Sequence, residues 1–578
     1  MPTITIDGKT IECQSGRTVI EVALENGIDI PHFCYHPALS VSGNCRMCLV
    51  EIEKLPKLAI ACSTLVADGQ VINTINERAV KARESVMEFL LINHPLDCPI
   101  CDEAGQCKLQ DYAFQHGSGE SRFLEEKVHK DKRVPLGPEV LFDAERCISC
   151  SRCIRFSDEI AEQPALTFVN RGDHVTIETF PGTELDNPYS MNVIDICPVG
   201  ALTSRDFRFR ARVWDMSFND TICPGCARGC NIQAGVRNNE ILRLEPRQNS
   251  KVNEYWMCDP GRLGEYRYVN DNRVVRPLVR RDGTQYETGW DEATAAAAAL
   301  LRGAKPNEVA FIGSPFMSVE ENYTLARLAR EVVGTSNIDM MRYDDPEFAD
   351  RKLRVADRTP NTRGAREVGV APDKAGQDIK GIIDGIMQGR IQVLYVLDQS
   401  FPVTEELAAA LGRLRGLIVH AWNPTPIAAL ADVVFATSTY AEKEGTFVNV
   451  QGIVQHFMPA VVTQENERLM GMKMSRLDKF GAYNDRWTHG ERRDCRPAWQ
   501  TLRDIARQLG TRWDYAWTED VFEEIAGRFP SFRSMSYEAL EAYAGIELGR
   551  GDRPAPHGFT YVPHDFRPQQ MPNEKVGR

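Results

Sequence analysis

The cysteines of this chain are distributed very unevenly along its sequence. Seventeen cysteines occur among 578 residues, and sixteen of them lie before residue 259, which leaves Cys495 alone in the second half. Disulfides are rare in reducing compartments, and buried structural thiols would be spread along the whole chain. The clustering therefore predicts that the first half of the chain binds metal.

Spacing sorts these cysteines into four groups. When His94 is included, each group supplies four candidate ligands, and only Cys13 and Cys495 remain outside. The first group is Cys34, Cys45, Cys48 and Cys62; the second is His94, Cys98, Cys101 and Cys107; the third is Cys147, Cys150, Cys153 and Cys197; and the fourth is Cys223, Cys226, Cys230 and Cys258.

The third group has the spacing of a bacterial ferredoxin. Three cysteines form a C-x2-C-x2-C run that begins at Cys147, and the remote Cys197 is followed by Pro198. This pattern is typical of a 4Fe–4S cubane, whereas structural zinc favours two separated C-x2-C pairs or a pair of cysteines with a pair of histidines. Because no second run of this kind lies nearby, we expect Cys197 to complete the same cluster.

The segment before the first group predicts a β-grasp ferredoxin. Residues Thr3–Asp7 and Lys9–Cys13 alternate in polarity around an Asp-Gly turn, which predicts a hairpin. A helix is expected over Val19–Asn26, and the cysteine-bearing loop follows it. This order favours a 2Fe–2S cluster on the first group. Because that group already supplies four thiolates, we do not expect His32 and His36 to be ligands.

The second group contains only three cysteines, whereas a cubane needs four ligands. We expect His94 to supply the fourth. Pro95 prevents the preceding helix, predicted over 76–92, from continuing, and so leaves the imidazole free to turn toward the loop Cys98–Cys107. A neutral imidazole in place of a thiolate removes one negative charge, which raises the reduction potential of a cluster.

Charge and hydropathy argue against two classes of protein. Lys and Arg number 68 against 81 Asp and Glu, and the net charge of −13 argues against a general nucleic-acid binder. No stretch reaches the roughly 18–20 apolar residues needed to cross a bilayer, and the first ten residues lack the features of a signal or transit peptide. We therefore expect a cytosolic protein that meets a membrane only through partners.

The run His94-Pro-Leu-Asp-Cys98-Pro-Ile-Cys101, with Cys107 behind it, lies between a β-grasp ferredoxin and a Cys-Pro ferredoxin-like region. In this arrangement residues 1–275 resemble the large iron–sulfur subunit family of bacterial respiratory complex I, NADH:quinone oxidoreductase. The resemblance implies one 2Fe–2S cluster and three 4Fe–4S clusters on the four groups. It also implies that the chain relays single electrons from a flavin-bearing, NADH-oxidising partner toward quinone-reducing subunits.

Further expectations come with this resemblance. The fourth group is kept only in some bacterial members, in which its cluster lies off the main electron path and has a structural role. Proton translocation belongs to membrane partners, and the chain is expected to be peripheral, at the cytoplasmic face of the bacterial inner membrane. Because the sequence contains no G-x-G-x-x-G fingerprint, P-loop or flavin motif, we expect no catalytic residue on this chain and no NADH oxidation by it alone.

The second half is similar to the molybdopterin oxidoreductases. The likeness rests on Trp256–Arg262, Arg276–Arg280 and Glu442–Gly452, the last of which matches a loop near the pterin in those folds. Between them, short apolar runs alternate with helical stretches, which predicts an α/β parallel sheet. Strands are expected at 309–312, 392–397, 417–421 and 433–436, and helices at 293–301, 319–333 and 405–414.

One departure separates the chain from the molybdenum enzymes. They usually offer a Cys, selenocysteine, Ser or Asp ligand to the metal, but no Cys lies between Cys258 and Cys495. The strand ends also show few of the basic and glycine-rich loops that hold the phosphates of a pterin dinucleotide. We therefore expect a degenerate scaffold that binds neither molybdenum nor pterin.

The sequence thus predicts a multidomain α+β and α/β protein with six regions. They are a β-grasp 2Fe–2S ferredoxin domain (1–78), a helical 4Fe–4S domain with one histidine and three cysteine ligands (79–118), a 4Fe–4S ferredoxin-like domain (119–215), a 4Fe–4S domain of molybdopterin-oxidoreductase type (216–275), a shortened, degenerate molybdopterin-oxidoreductase-like α/β domain (276–463) and a C-terminal extension (464–578). The end of the extension, 557–578, is expected to be either an extended arm that packs on a partner subunit or a disordered tail.

Three other functions use similar sequence features. The main alternative is the catalytic subunit of a molybdenum-dependent, NAD-linked formate dehydrogenase, which bound molybdenum would favour. An iron-only hydrogenase is excluded because its active-site domain needs four further cysteines, and only Cys495 lies beyond Cys258. A zinc-bound scaffold protein would be colourless, which a visible spectrum would settle.

Overall fold

The structure is a computed structural model, and it describes residues 1–467 and 492–550. These residues form two compact units, Met1–Asp215 and a second unit that begins at Met216. The arm predicted at 557–578 lies outside the described residues.

The first unit contains short strands and short helices. Its strands are β1 (Thr3–Ile6), β2 (Lys9–Glu12), β3 (Leu49–Ile52), β4 (Ala59–Ile60), β5 (Val71–Asn73), β6 (Val134–Pro135), β7 (Val140–Phe142), β8 (Leu166–Val169), β9 (Thr176–Thr179) and β10 (Leu202–Ser204). Its α-helices are α1 (Val19–Glu25), α2 (Glu77–Leu91), α3 (Lys108–His116), α4 (Arg152–Arg155) and α5 (Asn192–Asp195).

The β-grasp fold at the start of the chain is confirmed. A five-stranded sheet has the order β2-β1-β5-β3-β4, in which β1 is parallel to β5 and antiparallel to β2. The hairpin turns at Asp7 and Gly8, whose φ values of 48° and 83° fit the left-handed turn that suits a two-residue hairpin loop. Thr18 and Glu21 form a capping box at the start of α1, which packs its apolar face into the core.

The rest of the first unit holds the second and third groups in irregular structure between small elements. Strands β10, β7 and β6 form one small sheet, and β8 and β9 form a hairpin. Helix α2 begins after Asn76, whose side chain accepts a hydrogen bond from the backbone N–H of Ala79, and it packs on α3. The helix predicted over 76–92 is thereby confirmed, with its last residue at Leu91.

The second unit is built on longer elements. Its strands are β11 (Ser217–Ile222), β12 (Asn231–Arg237), β13 (Glu240–Pro246), β14 (Leu278–Arg281), β15 (Thr284–Glu287), β16 (Val309–Gly313), β17 (Ile338–Met340), β18 (Val393–Val396), β19 (Gly416–Ala421), β20 (Val433–Ala436), β21 (Gly445–Val448), β22 (Ile453–Phe457) and β23 (Ile546–Glu547). Its α-helices are α6 (Asp259–Gly264), α7 (Arg267–Asn270), α8 (Trp290–Arg302), α9 (Val319–Arg327), α10 (Thr362–Glu367), α11 (Ile379–Met387), α12 (Glu405–Leu411), α13 (Pro426–Leu430), α14 (Ala498–Gln508), α15 (Thr518–Arg528) and α16 (Tyr537–Ala542).

The predicted α/β parallel sheet is confirmed. The seven-stranded sheet has the order β15-β14-β20-β19-β18-β16-β17, and the five strands from β20 to β17 are parallel. Counted along the chain from β16, these five strands have the doubly wound order 2-1-3-4-5, whose switch point lies between β16 and β18. The helical stretch predicted at 319–333 is α9 followed by a π-helix at Leu328–Val333.

Residues 492–550 contribute to the same hydrophobic core as the α/β sheet. Helix α14 packs on α8 and α9, and its side chains Trp499, Leu502 and Ile505 are fully buried. Helix α8 presents Ala293, Ala297 and other small residues to this core, which explains its alanine run. The six domain boundaries expected from the sequence stay predictions.

Candidate metal centres

The third group converges on one cavity in the first unit. Cys147 and Cys150 lie in the loop after β7, Cys153 lies on α4, and Cys197 follows α5. All four line a cavity of about 320 Å³, whose remaining wall is largely apolar and includes Phe142, Ile177, Val199 and Leu202. Burial raises the pKa of Cys147 to about 11. A cationic centre is therefore needed to hold these sulfurs as thiolates, and a cavity with a largely apolar wall fits a cubane cluster.

The fourth group surrounds a similar cavity in the second unit. Its four sulfurs, together with Met257 and Phe348, line a space of about 380 Å³. Cys258 precedes α6, and burial raises the pKa of its thiol to about 12. At Gly261 a Cβ would lie 3.2 Å from the sulfur of Cys223 and 3.3 Å from that of Cys258, so glycine keeps this wall of the cavity open. These features also fit a cubane cluster.

A segment of the α/β region covers the fourth group. The backbone N–H of Ala227 donates to the carbonyl of Asp357 at 2.8 Å, and the Arg228 Nε donates to the carbonyl of Leu353 at 2.9 Å. In return, the Arg358 Nε donates to the carbonyl of Gly225 at 3.2 Å. The loop that carries Cys226 is therefore fixed by hydrogen bonds to the segment around residues 353–358.

The sulfurs of the first group contact one another directly. The loop between α1 and β3 carries Cys34 and Cys45, while Cys48 precedes β3 and Cys62 follows β4. Cys34 lies within hydrogen-bond distance of Cys45 and Cys62, and Cys62 also contacts Cys48. The hydrogen bonds lower the pKa of Cys34 and raise the pKa of Cys62. This compact set of soft donors fits a small binuclear cluster.

The second group is brought together only in part. Cys98 begins a 3-10 helix, Cys101 donates its backbone N–H to the carbonyl of Cys98 at 3.3 Å, and Cys107 precedes α3. Cys101 and Cys107 are buried and interact electrostatically, whereas Cys98 is exposed. Burial raises the pKa of Cys107 to about 12.

His94 lies in the same charged surroundings as Cys101. Burial, followed by Lys127 and Arg146, lowers the pKa of His94 to about 4, so the imidazole is neutral at pH 7, as an iron ligand must be. Arg146 also interacts with Cys101, and it donates to Asp97 at 2.9 Å. These contacts support a ligand role for His94, which stays a prediction.

The loop that carries Cys197 reaches the second group. At Gly200 a Cβ would lie only 2.1 Å from the sulfur of Cys101, so a larger residue would displace that sulfur. The backbone N–H of Lys108 donates to the carbonyl of Pro198 at 3.1 Å. The second and third groups are therefore adjacent, a relation that the sequence analysis did not predict.

The third group also contacts the first. Arg152 and Arg155, on the helix that carries Cys153, donate hydrogen bonds to backbone carbonyls in the loop that carries Cys34. The side chain of Asn44 donates to the carbonyl of Ser149 at 3.0 Å. These arginines were not predicted from the sequence, although their positions, one within the cysteine run and one two residues after it, offered a signal.

The carboxyl edge of the parallel sheet is occupied by its own side chains. Near the switch point, the Tyr343 hydroxyl donates to Asp398 at 2.7 Å, and the Tyr343 ring packs on Phe316 at 5.3 Å between centroids. Burial raises the pKa of Asp398 to about 6. The Gln399 side chain accepts from the backbone N–H groups of Trp422 and Asn423. Polar groups at this edge are thus used within the chain.

The loop Glu442–Gly452 is also tied into the fold. Arg493 donates to Glu442 at 2.9 Å, and Arg273 donates to the same carboxylate. Burial acts to raise the pKa of Glu442, but the two arginines outweigh it and the pKa is lowered. The next residue, Lys443, pairs with Glu321 at 2.7 Å, and both side chains are almost fully buried.

The remaining candidates have structural contacts. The Cys13 thiol lies 3.6 Å from the carbonyl of Pro2, and Cys495 accepts from the Ser438 hydroxyl at 3.7 Å. The His32 ring lies 2.7 Å from the carbonyl of Ile30, and the His36 ring accepts from the backbone N–H of the residue two positions on.

In residues 1–467 and 492–550, no group of three or more His, Cys, Asp or Glu side chains has the arrangement of a site for one metal ion. Over the same ranges, no helix has the length and apolar character needed to cross a membrane.

Models of protein families match nearly the whole of the first unit and much of the second. Residues 1–77 match a "2Fe-2S iron-sulfur cluster binding domain", residues 83–122 the "NADH-ubiquinone oxidoreductase-G iron-sulfur binding region", and residues 137–203 the ferredoxin-like domain of "NADH-quinone oxidoreductase subunit 3". Residues 216–271 match the "Molybdopterin oxidoreductase Fe4S4 domain", and residues 273–359 and 349–469 match "Molybdopterin oxidoreductase". The chain therefore carries both 2Fe–2S and 4Fe–4S binding domains.

Curated relatives agree in their names. The G-type subunit of NADH-quinone oxidoreductase from Rickettsia conorii is 42% identical over 342 residues, 59% of this chain and 50% of the relative. The protein of the same name from Streptomyces coelicolor is 38% identical over 388 residues, 64% of this chain and 46% of the relative. The mitochondrial "NADH-ubiquinone oxidoreductase 78 kDa subunit" of Neurospora crassa is 41% identical over 58% of this chain and 45% of the relative.

The chain thus spans about half the length of the curated relatives that it matches. One solved structure, an NAD+-reducing [NiFe]-hydrogenase, covers 37% of this chain with 30% identity and a TM-score of 0.34, and 91% of that chain is matched. Over the part that the curated relatives match, this chain is similar to the G-type subunits of NADH-quinone oxidoreductase, and its residues 83–122 match the iron–sulfur binding region that carries that family's name.

Proposed function

We propose that this chain is an electron-transfer subunit of an NADH:quinone oxidoreductase. The observation that carries the proposal is the arrangement of the first unit, in which the loops of the third group contact those of both other groups. Arg152 and Arg155 join the third group to the first, and Gly200 brings it against Cys101 of the second. Three redox sites connected in this way suit a relay of single electrons.

The four groups of ligands are assigned to one 2Fe–2S cluster and three 4Fe–4S clusters. Bound iron–sulfur clusters accept and donate single electrons at potentials that the surrounding protein tunes. The chain's own residues hold the clusters, exclude water with apolar walls such as Phe142 and Leu202, and place neighbouring charges. His94 is assigned as the fourth ligand of the second group.

The contacts support an order of groups that differs from the order in the sequence. Because the third group touches both others within the first unit, electrons would pass from the first group to the third and then to the second. The exposed Cys98 and its neighbours Leu96 and Ile100, 88% and 57% exposed, would place the second group at a surface where electrons leave the chain. A flavin-bearing, NADH-oxidising partner would supply them at the other end.

The proposed partners are the subunits that oxidise NADH and those that reduce quinone. In that assembly the chain would be peripheral at the cytoplasmic face of the bacterial inner membrane, and membrane partners would translocate protons. The names of the curated relatives support membership of an NADH-quinone oxidoreductase assembly.

The second unit is assigned a scaffold role without molybdenum or pterin. Its family match is the one observation that favours the alternative, a molybdenum-dependent formate dehydrogenase. Against it, Tyr343 and Phe316 fill the region next to Asp398, near the switch point where such folds bind ligands. The fourth group would then stabilise the loops that cover it.

Reduction of the anaerobically purified chain tests the proposal. NADH alone should leave the visible spectrum unchanged, because the chain carries no nucleotide motif, whereas dithionite should bleach it and produce signals of several clusters in electron paramagnetic resonance. Bleaching by NADH alone would contradict the proposal. Pterin in acid extracts, with formate activity, would establish the alternative instead.

A further inference from the structure

Arg152 lies between the ligand loops of the first and third groups. It is the first residue of α4 and stands between the ligands Cys150 and Cys153. Its Nη1 donates to the carbonyl of Ile196 at 3.0 Å, and its Nη2 donates to the carbonyl of Tyr35. Ile196 precedes Cys197 and Tyr35 follows Cys34, so one guanidinium joins the backbones next to a ligand of each group.

Among residues 1–467 and 492–550, the positive charge of this side chain has no carboxylate partner. In the part of the chain that the structure describes, Arg152 forms no ion pair, and its Nε is buried without a hydrogen-bond partner. Burial lowers the pKa of Arg152, while the thiols of Cys150, Cys197, Cys34 and Cys45 act in the opposite direction. The groups that favour the charged form of Arg152 are thus sulfurs of candidate ligands from both groups.

Such an arrangement is unfavourable without negative charge at the two sites. Arg152 is part-buried, and its Nε is fully buried. Removing a charge from water without a partner costs free energy, so arginines in such positions usually pair with carboxylates. Arg146, in the same unit, follows that rule: it lies 2.9 Å from Asp97 and 3.4 Å from Asp143. Arg152 differs because only the thiolates of the two groups are available to balance it.

The contact between the two loops does not depend on Arg152 alone. Ser40 donates its backbone N–H to Glu159 at 2.8 Å, and the hydroxyl groups of Ser151 and Ser42 lie 3.1 Å apart. Arg155 donates to the carbonyls of Cys34 and Ser40. Removal of the Arg152 guanidinium would therefore leave the loops in contact and take away the shared charge.

We propose that Arg152 is a positioning residue that fixes the separation of the first and third groups and supplies one positive charge shared by their clusters, so that it raises both reduction potentials. The inference rests on the proposed function, because it requires clusters at both groups. In the step concerned, one electron would pass from the cluster that the first group would hold, which would be oxidised, to the cluster that the third would hold, which would be reduced. Arg152 stays protonated, and no covalent bond forms or breaks.

The test compares three variants of the full, cluster-loaded chain in redox titrations followed by electron paramagnetic resonance. Arg152→Gln should shift the reduction equilibria of the first and third clusters by about tenfold or more, which is about 59 mV for a one-electron couple, toward lower potential. The cluster of the second group should keep its potential.

Two further variants separate the charge from the bridge. Arg152→Lys keeps the charge but cannot reach both carbonyls, so both potentials should stay near those of the wild type while electron transfer between the two clusters slows. Arg155→Gln is the matched control, because Arg155 donates to the loop of the first group and not to Ile196. Because the charge of Arg155 acts on Cys150 less than that of Arg152 does, Arg155→Gln should shift the potential of the third cluster less than Arg152→Gln does.

A second measurement does not depend on electron transfer. The thermal unfolding midpoint of Arg152→Gln should fall relative to the wild type in the cluster-loaded chain, but should be unchanged or higher after a chelator has removed the iron. An equal fall in both forms would reduce Arg152 to a purely structural tie and overturn the proposal.

The outcomes distinguish failure of the proposed role of Arg152 from failure of the proposed function of the chain. Unmoved potentials in Arg152→Gln, with full iron content, would overturn this inference alone, as would an equal shift of the third cluster in Arg155→Gln. A wild-type chain without iron–sulfur signals would overturn the proposed function itself.

Discussion

The arginines beside the third group of the first unit differ from the buried charges of the second unit. In the first, arginines such as Arg152 and Arg155 point their charge at backbone carbonyls beside cysteine ligands. In the second, buried charges pair with each other, as Lys443 does with Glu321. An unpaired buried cation requires a negative group, which the proposed clusters supply, whereas a closed ion pair requires none.

The pocket of the third group and the carboxyl edge of the parallel sheet also differ in whether side chains fill them. The third group surrounds a space of about 320 Å³ with mostly apolar walls. Near the switch point of the parallel sheet, where doubly wound folds bind ligands, Asp398 accepts a hydrogen bond from Tyr343 instead. The pocket of the third group therefore leaves space between its candidate ligands. The edge of the parallel sheet near the switch point is instead occupied by side chains of the chain itself.

Removing one ligand from each unit gives the strongest test of the difference between the two units. Cys153→Ser, in the third group, should reduce electron transfer from an NADH-oxidising partner to quinone by roughly 100-fold or more, because an electron must cross that group to reach the second. Cys226→Ser, in the fourth group, should change the rate by less than about twofold and lower stability instead. Rapid-mixing kinetics of the assembled complex measure both. Equal losses of rate would show that the fourth group belongs to the path.

The ligand role of His94 sharpens the description of the first unit. His94→Ala should remove or alter one set of electron paramagnetic resonance signals, and His94→Cys should restore a cluster whose potential is lower by on the order of 100 mV, because a thiolate adds negative charge. His116→Ala, on α3, is the matched control and should leave all signals in place. An unchanged spectrum in His94→Ala would contradict the ligand role.

In the second unit, a buried ion pair should matter for stability and not for electron transfer. Lys443→Met leaves Glu321 charged and fully buried, which should lower the free energy of unfolding by about 3–5 kcal/mol. Lys380→Met, at an exposed position of α11, should change it by less than about 0.5 kcal/mol. Denaturant titrations give both values. Loss of a cluster signal in Lys443→Met would argue against a separate scaffold role.

Asp398 gives the second unit a pH dependence of its own. Burial raises the pKa of this carboxyl to about 6, above its value in the unfolded chain. Its contribution to stability is therefore complete below about pH 4 and is lost as the pH rises through about 6. Asp398→Asn cannot ionise, so its stability relative to the wild type should rise by about 2–3 kcal/mol between about pH 4 and about pH 7. The raised pKa of Asp398 would be contradicted if the free energies of unfolding of the wild type and of Asp398→Asn changed with pH in the same way across this range.

Much of the fold was predictable because local signals agreed with the tertiary structure. The Asp7-Gly8 turn, the helix after Asn76 and the apolar strands β16 and β18 to β20 all match patterns of period two or of buried parallel strands. The π-helix at Leu328–Val333 was not predictable, since its sequence continues the helical pattern of α9. Packing, and not local preference, decides such details.

The candidate ligands were predictable from cysteine spacing, but their neighbours were not. Spacing says which sulfurs share a group and nothing about which groups touch. The contact of Gly200 with Cys101 and the bridge made by Arg152 join residues that are distant in the sequence. Only the fold reveals that the third group lies between the first and the second.

Metal analysis of the anaerobically purified chain tests the central claim most directly. One binuclear cluster and three cubanes should give about fourteen iron atoms per chain, an equal amount of labile sulfide, and neither zinc nor molybdenum. Saturation near ten iron atoms with zinc present would contradict one assignment, that of the fourth group first. Stoichiometric molybdenum would contradict the scaffold role of the second unit.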